Sequence, residues 1–276
     1  ARKRKLNIKW DKYSIPKPKK KEIIVFDDYP LEDLIDYIDW SPFFHAWEMK
    51  GTYPKILSSD KYGDEAKKVF DDAQKILDRM IGEKIISAKG VVGIHEAYAK
   101  DESIFVKEFE FNFPRQSIDK GNGKTNYCLA DFIGPKNDYL GTFALTTGHG
   151  LEDLVNEFEK NNDDYNSIMS KIIADRLVEA FSERMHSLVR KKIWGFAKEE
   201  NLTNEELIKE KYQGIRPAPG YPACPNHKHK DFIWKLLDVE KNTGISLTET
   251  RSMFPAASLS GWYFSHPRSK YFVTSD

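Results

Sequence analysis

The sequence predicts an α+β fold in which helices gather outside a block of antiparallel strands. Three observations carry this. From Asp64 to Ile81 the apolar residues Ala66, Val69, Phe70, Ala73, Ile76, Leu77 and Met80 recur at helical spacing and form one stripe. Between 105 and 113 the period changes to two, with Phe105, Phe109, Phe111 and Phe113 on one side and Glu108, Glu110 and Asn112 on the other. The strands follow one another across turn residues instead of alternating one by one with helices, which excludes a parallel βα design.

Residues 1–28 are read as a basic linker or tail. The first 21 positions hold ten Lys or Arg and a single Asp, and Pro16, Pro18 and Lys19-Lys20-Lys21 suit an extended, solvated chain ahead of phosphate or membrane-surface binding. The domain proper runs from 29 to 276. After Pro30, Leu31, Leu34, Ile35 and Ile38 mark a helix that Trp40-Ser41-Pro42 stops, which leaves Asp39 at its exit. The helix over 64–81 closes at Gly82. Val91-Val92-Gly93-Ile94 is a buried strand, the 105–113 strand stops at Pro114, and further strands cover 127–133 and 139–146, parted by Gly134, Pro135, Asn137 and Asp138. Helices are expected over 151–160 and, the longest, from Asp164 to about Lys192. Thr203 and Glu206 make a capping box for a short helix to Lys211, a further helix spans about 232–241, and strands are expected at 261–265 and 271–274.

The chain has 276 residues, of which 40% are hydrophobic and 13% aromatic, so a buried core is affordable and disorder is excluded. Lys+Arg and Asp+Glu balance at 43 each, which argues against a nucleic-acid binder; outside the tail the body is net acidic. No apolar run approaches the ~20 residues that span a bilayer, and no signal-peptide stretch follows the N-terminus. Cys128 and Cys224 are too few for a disulfide framework and suit a reducing, cytoplasmic setting. Opening on Ala1, the chain reads as cut from something longer.

Familiar motifs mostly fail. Gly123-Lys124-Thr125 resembles the end of a P-loop, but Ile118 stands where the first glycine belongs and no helix follows; no GxGxxG supports a Rossmann site. Cys224, His227 and His229 have C-x2-H-x-H spacing, which is not a pair of zinc-ligand pairs, so no metal is expected. His45, His95, His149 and His186 stand alone and read as solvated or hydrogen-bonded. The segment Arg216-Pro217-Ala218-Pro219-Gly220-Tyr221-Pro222-Ala223-Cys224-Pro225-Asn226-His227 is different. Four prolines forbid a regular ladder and Gly220 permits a bend, so a stiff loop presents a cation, a ring and a polar pair at fixed places. Composition alone leaves a ligand site and a rigid surface turn about even.

With the preceding Glu210 to Ile215, this segment resembles the signature of the S-adenosylmethionine-binding activation domain of cobalamin-dependent methionine synthase. Tyr37 to Phe44, Gly90 to Gly93, Tyr127 to Phe132, Asp175 to Phe181 and Ser260 to Pro267 resemble the same family in the same order, from about Tyr29 to the end. The resemblance implies a curved single domain around a twisted antiparallel sheet flanked by helices. Two departures stand out: Lys228-His229-Lys230 replaces Thr-Glu-Lys and Asn226 an acidic residue, and the chain ends soon after the last strand.

The resemblance implies a methyltransferase module that binds S-adenosylmethionine and presents its methyl group for reductive remethylation of inactive cob(II)alamin. Cobalamin would sit on a separate module of the same enzyme, and a flavodoxin-like protein or flavoprotein reductase would supply the electron. No side chain is expected to act as a general acid or base, because the sulfonium methyl is already activated. Arg216 is expected to pair with the ligand carboxylate and Asp39 to take its ammonium end. Ala218, Gly220, Tyr221, Tyr271 and Phe272 would border the nucleoside and methyl, with Glu179, Glu210 and His227 nearby. No homocysteine, folate or cobalamin motif is present, so the chain would not make methionine alone. An independent methyltransferase and a nonenzymatic S-adenosylmethionine sensor or docking module are the alternatives.

Overall fold

The computed structural model describes residues 4–117 and 124–274. Ile118 and Gly123 of the failed P-loop reading lie outside them. The fold is α+β, as expected. A sheet in the order β4–β3–β2–β5–β8 is built from β2 (Ser87–Lys100), β3 (Ser103–Val106), β4 (Phe109–Asn112), β5 (Asp138–His149) and β8 (Ser258–Tyr263), and β1 (Ile24–Tyr29) also pairs with β2. Every pairing in it is antiparallel. Helices α1 (Ser41–Ala46), α2 (Gly63–Gly82), α3 (Leu151–Lys160) and α4 (Asp164–Leu188) precede α5 (Asn204–Ile208), α6 (His229–Leu237) and α7 (Val239–Thr243). A small ribbon, β6 (Ser246–Leu247) with β7 (Met253–Phe254), lies apart.

Side chains on successive strand residues point to opposite faces, so one strand serves two cores. Val92, Ile94, Phe143, Leu145 and Tyr263 join the cluster of α1 to α4, whereas Val91, Leu140, Ala144 and Trp262 join the cluster of α6, α7 and the β3–β4 hairpin. β5 is buried at every position but its last. Double burial explains why these strands read as apolar runs. The longest helix, α4, lies against the sheet and presents Met169, Ile173, Leu177, Phe181 and Met185 to the first core.

Several expectations need correction. Residues 105–113 form a hairpin: Lys107 turns the chain at positive φ, a conformation unusual for a residue with a Cβ and held here by the pairing of the flanking strands, so Phe105 lies opposite Glu110. Residues 127–133 hold a short 3-10 turn, Leu129–Phe132, because the Asp131 carboxylate accepts from Cys128 N at 3.1 Å and closes the chain locally. Leu31–Tyr37 is 3-10, and Trp40-Ser41-Pro42 opens α1 instead of ending a helix; proline is harmless there because the first amides of a helix need no internal partner. The long helix stops at Leu188 and continues as a π turn, Val189–Ile193, while Asp238 at positive φ divides the 232–241 helix into α6 and α7. Residues 271–274 are extended but unladdered. The α2 stripe, the α3 helix and the Thr203–Glu206 capping box are as expected.

The largest correction concerns the tail. Ile24–Tyr29 is a strand of the sheet, and the residues before it run over the body as a strap. Leu6 is buried, Trp194 Nε1 donates to Pro16 O at 2.8 Å, and Lys20 N donates to Ile193 O at 3.0 Å. Lys5 Nζ lies 3.7 Å from Asp131 Oδ1. Pro16 and Pro18 keep the later part of the strap out of a helix, and its few apolar residues, Leu6, Trp10, Tyr13 and Ile15, are outnumbered by ten Lys and Arg in the first 21 positions, so charge dominates the sequence pattern. Among the described residues no helix is long and apolar enough to cross a membrane.

Candidate functional site

The proline loop runs beside β8 as a strand that prolines cannot complete. Ile215 exchanges backbone hydrogen bonds with Phe264, and Pro217, which has no N–H to give, accepts from Trp262 N at 2.9 Å. The chain then bends: Gly220 N donates to Cys224 O and Cys224 N to Tyr221 O, both at 2.8 Å. Gly220 has φ +93°, and a Cβ there would lie 2.3 Å from His227 Cε1, so the imidazole closes directly over the bend.

Between this loop, α4, β8 and residues 271–273 lies a cavity of about 490 Å³, within the usual range for small-molecule sites. Glu179, Glu210, Arg216, Ala218, Tyr221, Tyr271 and Phe272 all border it, seven of the ten residues expected at the site. Gly220 and His227 shape the loop from behind. Asp39 is not part of the lining; its carboxylate accepts from Ser41 N at 3.0 Å and opens α1.

Arg216 is not a free cation. Its Nη2 and Nη1 donate to Glu183 Oε2 and Oε1 at 2.7 and 3.2 Å, and Nη1 also donates to Tyr212 Oη at 2.9 Å and lies 3.1 Å from His186 Nδ1. Burial works against the guanidinium charge, but Glu183 with Tyr271 and Tyr212 keeps its pKa raised. His186 is held neutral by burial and by the nearby Arg190 and Arg216. Since Arg216 only donates, Nδ1 is the acceptor and the ring proton sits on Nε2. Tyr271 Oη accepts from Arg216 N at 3.0 Å and lies 3.0 Å from Tyr212 Oη, which ties the 271–273 wall to the loop. Behind Tyr212, the buried Arg190 stacks on its ring at 4.4 Å and pairs with Glu200.

Glu183 and His186 escaped sequence reading, yet a signal exists. Glu179, Glu183 and His186 share one helical face at spacings of four and three. A polar row within an otherwise core-facing helix needs a partner, and Arg216 is that partner. With Arg216 neutralised by Glu183, the uncompensated carboxylates at the cavity are Glu179 and Glu210. Both residues are exposed, yet the surrounding protein strips enough water from them to raise both pKa values, only partly offset by arginine charges. A cationic ligand would relieve both.

Cys224, His227 and His229 do not converge on a metal. Cys224 Sγ is buried 3.5 Å from His229 Nδ1, the His229 ring packs edge-on against Phe111, Phe113 and Trp262, and Lys230 Nζ lies 3.3 Å from His227 Nδ1. Among the described residues no three His, Cys, Asp or Glu side chains form a group suited to a metal ion. Elemental analysis of purified protein is expected to find no stoichiometric zinc, and one zinc per chain would contradict this arrangement.

Comparison with known proteins agrees with the fold. Residues 30–276 match the family described as vitamin B12 dependent methionine synthase, activation domain. A crystal structure of the MetH reactivation domain bound to AdoHcy superposes with a TM-score of 0.96 at 46% identity, covering 100% of this chain and 88% of that one.

Proposed function

Since this chain belongs to the vitamin B12 dependent methionine synthase activation-domain family, we propose that its cavity binds S-adenosylmethionine and presents the sulfonium methyl at the open mouth. The observation that carries this is the meeting of one oriented arginine and two uncompensated carboxylates at a cavity whose remaining lining is largely apolar and aromatic. S-adenosylmethionine needs all three: a carboxylate for Arg216, positive charge for Glu179 and Glu210, and a flat nucleoside for the apolar wall. Glu183, Tyr212 and His186 occupy Nη1 and one side of Nη2, so the ligand carboxylate meets the guanidinium through its remaining N–H groups. Asp39 serves the ammonium end only where the ligand reaches beyond the lining.

No proton has to be removed from the methyl group, and transfer leaves a neutral thioether, so the chain's task is orientation. Tyr221 and Val273, 54% and 63% exposed, stand open at the rim, where a docking module gains access. Cobalamin, carried on another module of the enzyme, supplies the methyl acceptor, and a low-potential flavoprotein supplies the electron. Catalysis therefore belongs to the assembly.

Calorimetry with S-adenosylmethionine tests the binding step. Following the cobalamin absorption spectrum tests the rest: methylation is expected only when the cobalamin module and reduced flavoprotein are both present. Methyl transfer to a small acceptor without cobalamin would favour an independent methyltransferase. Tight binding with no methylation in the full mixture would favour a sensor.

S-adenosylhomocysteine differs by one positive charge, which isolates the carboxylates. Glu179→Gln and Glu210→Gln are each expected to weaken S-adenosylmethionine binding roughly five-fold and S-adenosylhomocysteine binding much less. Affinity for the cation should also fall as pH drops. Because partial desolvation raises both carboxyl pKa values, protonation and the loss of attraction set in above the ordinary glutamate value of 4.5. Equal losses for both ligands, or a flat pH profile, would remove these residues from charge recognition.

A further inference from the structure

We propose that the N-terminal strap is a positioning part of the ligand site: Trp10 and Tyr13, acting through His266, hold the 271–273 wall in place. The proposal rests on the reading of the cavity as an S-adenosylmethionine site. No strap residue borders the cavity, so its influence is indirect, and the contacts that lead most directly to the lining end on that wall.

The wall lacks a strand ladder of its own. At its far end it is tethered by Gln116 Nε2 donating to Val273 O at 2.7 Å and by Thr274 N donating to Pro222 O at 3.0 Å. At its near end it begins in the turn 266–269, where Arg268 N donates to His266 Nδ1 and Ser269 N to His266 O. His266 is therefore the hub of that turn. Its buried ring lies 5.0 Å from the Trp10 ring and 4.4 Å from the Tyr13 ring, and Arg268 Nη1 donates to Asn7 O at 2.9 Å. Four residues separate this hub from Tyr271.

A second line of contact reaches the same wall from the other side. Asn126 N donates to Arg4 O at 2.9 Å, and Asn126 Nδ2 donates to Gln116 O at 2.6 Å; Gln116 is the residue that holds Val273. The next residue, Tyr127, lies 5.9 Å from the Phe272 ring and 4.1 Å from Lys270 Nζ. The strap thus braces both flanks of the segment that carries Tyr271 and Phe272. It is itself fastened further along, where Lys19 N and Lys20 N donate to Trp194 O and Ile193 O. The Tyr271 hydroxyl and Thr274 N still hold the wall to the proline loop when the strap contacts are cut, but its 266–270 approach loosens, and a loosened wall costs affinity without loss of any ligand contact.

The test uses the whole chain, titrated calorimetrically well below its unfolding temperature with S-adenosylmethionine and with 5′-methylthioadenosine, which keeps the nucleoside and lacks both the sulfonium and the amino-acid end. Trp10→Ala is expected to weaken both ligands by a similar factor, roughly ten-fold, and Trp10→Phe to recover most of it. Hydrogen exchange should quicken at 266–274 and stay unchanged in the core of α4. Should Trp10→Ala fail to fold, Arg268→Ala cuts only the tether to Asn7 and is expected to show a smaller loss of the same kind. Unchanged affinity in folded Trp10→Ala or Arg268→Ala, or exchange that quickens throughout the chain or nowhere, would overturn the proposal. Wild-type chain that binds neither ligand would overturn the S-adenosylmethionine reading instead, and the exchange comparison would still decide whether the strap holds the wall.

Discussion

Arg216→Ala is expected to destabilise the folded chain by about 3–5 kcal/mol, because it leaves the Glu183 carboxylate buried without its partner. The Glu183 side chain is only 9% exposed and spends both oxygens on the guanidinium. The same change removes the group proposed to meet the ligand carboxylate, a loss of about 1.5–3 kcal/mol of binding. The two effects separate in a double variant. Arg216→Met with Glu183→Met removes both charges and keeps side-chain volume, so stability should recover toward wild type while ligand binding stays weak. Urea unfolding and calorimetry on the single and double variants measure the two quantities. A double variant as unstable as Arg216→Ala would mean that Glu183 is not the charge left stranded, and unimpaired binding by the double variant would remove Arg216 from the ligand site.

Gly261→Ala is expected to damage the site from outside it. A Cβ on Gly261 would lie 2.4 Å from Pro217 O, which is backbone and already accepts from Trp262 N. No side-chain rotation relieves that contact, so the proline loop has to move off β8. Overpacking of this kind costs about 1–3 kcal/mol. The loop carries Arg216, Ala218 and Tyr221, and displacing them by on the order of 1 Å should slow methyl transfer in the full assembly by roughly 100-fold and weaken ligand binding as well. Gly82→Ala is the matched control, since a Cβ there meets nothing within 4 Å. Wild-type affinity in Gly261→Ala would show that the close approach of loop and strand is not what sets the geometry of the cavity.

Both predictions turn on contacts of different legibility in the chain. The proline loop was readable because its constraints are local: four prolines and a glycine within a dozen residues forbid helix and strand wherever they occur. The α2 stripe and the Thr203–Glu206 box were readable for the same reason, since the interactions that form them span three or four residues. The period-two run at 105–113 was readable as β structure but not as a hairpin. A turn at Lys107 breaks the register without a glycine or proline to announce it.

The fold class, the apolar stripe and the stiff loop were thus determined by the sequence alone, through short-range sterics and periodic burial, whereas the seven expected residues that border the cavity were named through the family resemblance. Only the tertiary structure decided that Arg216 is already paired with Glu183, 33 residues earlier, and that Tyr271, 55 residues later, accepts from its backbone. It also decided that the basic N-terminal segment is a strap across the body. The physical reason is common to these cases. An ion pair, a shared hydroxyl or a ring packed on a distant ring leaves no period in the chain, because its partner is supplied by the way β8, α4 and the sheet bring remote segments together. Charge density described the strap as solvated, whereas its few aromatic residues, each finding a particular remote neighbour, set where it lies.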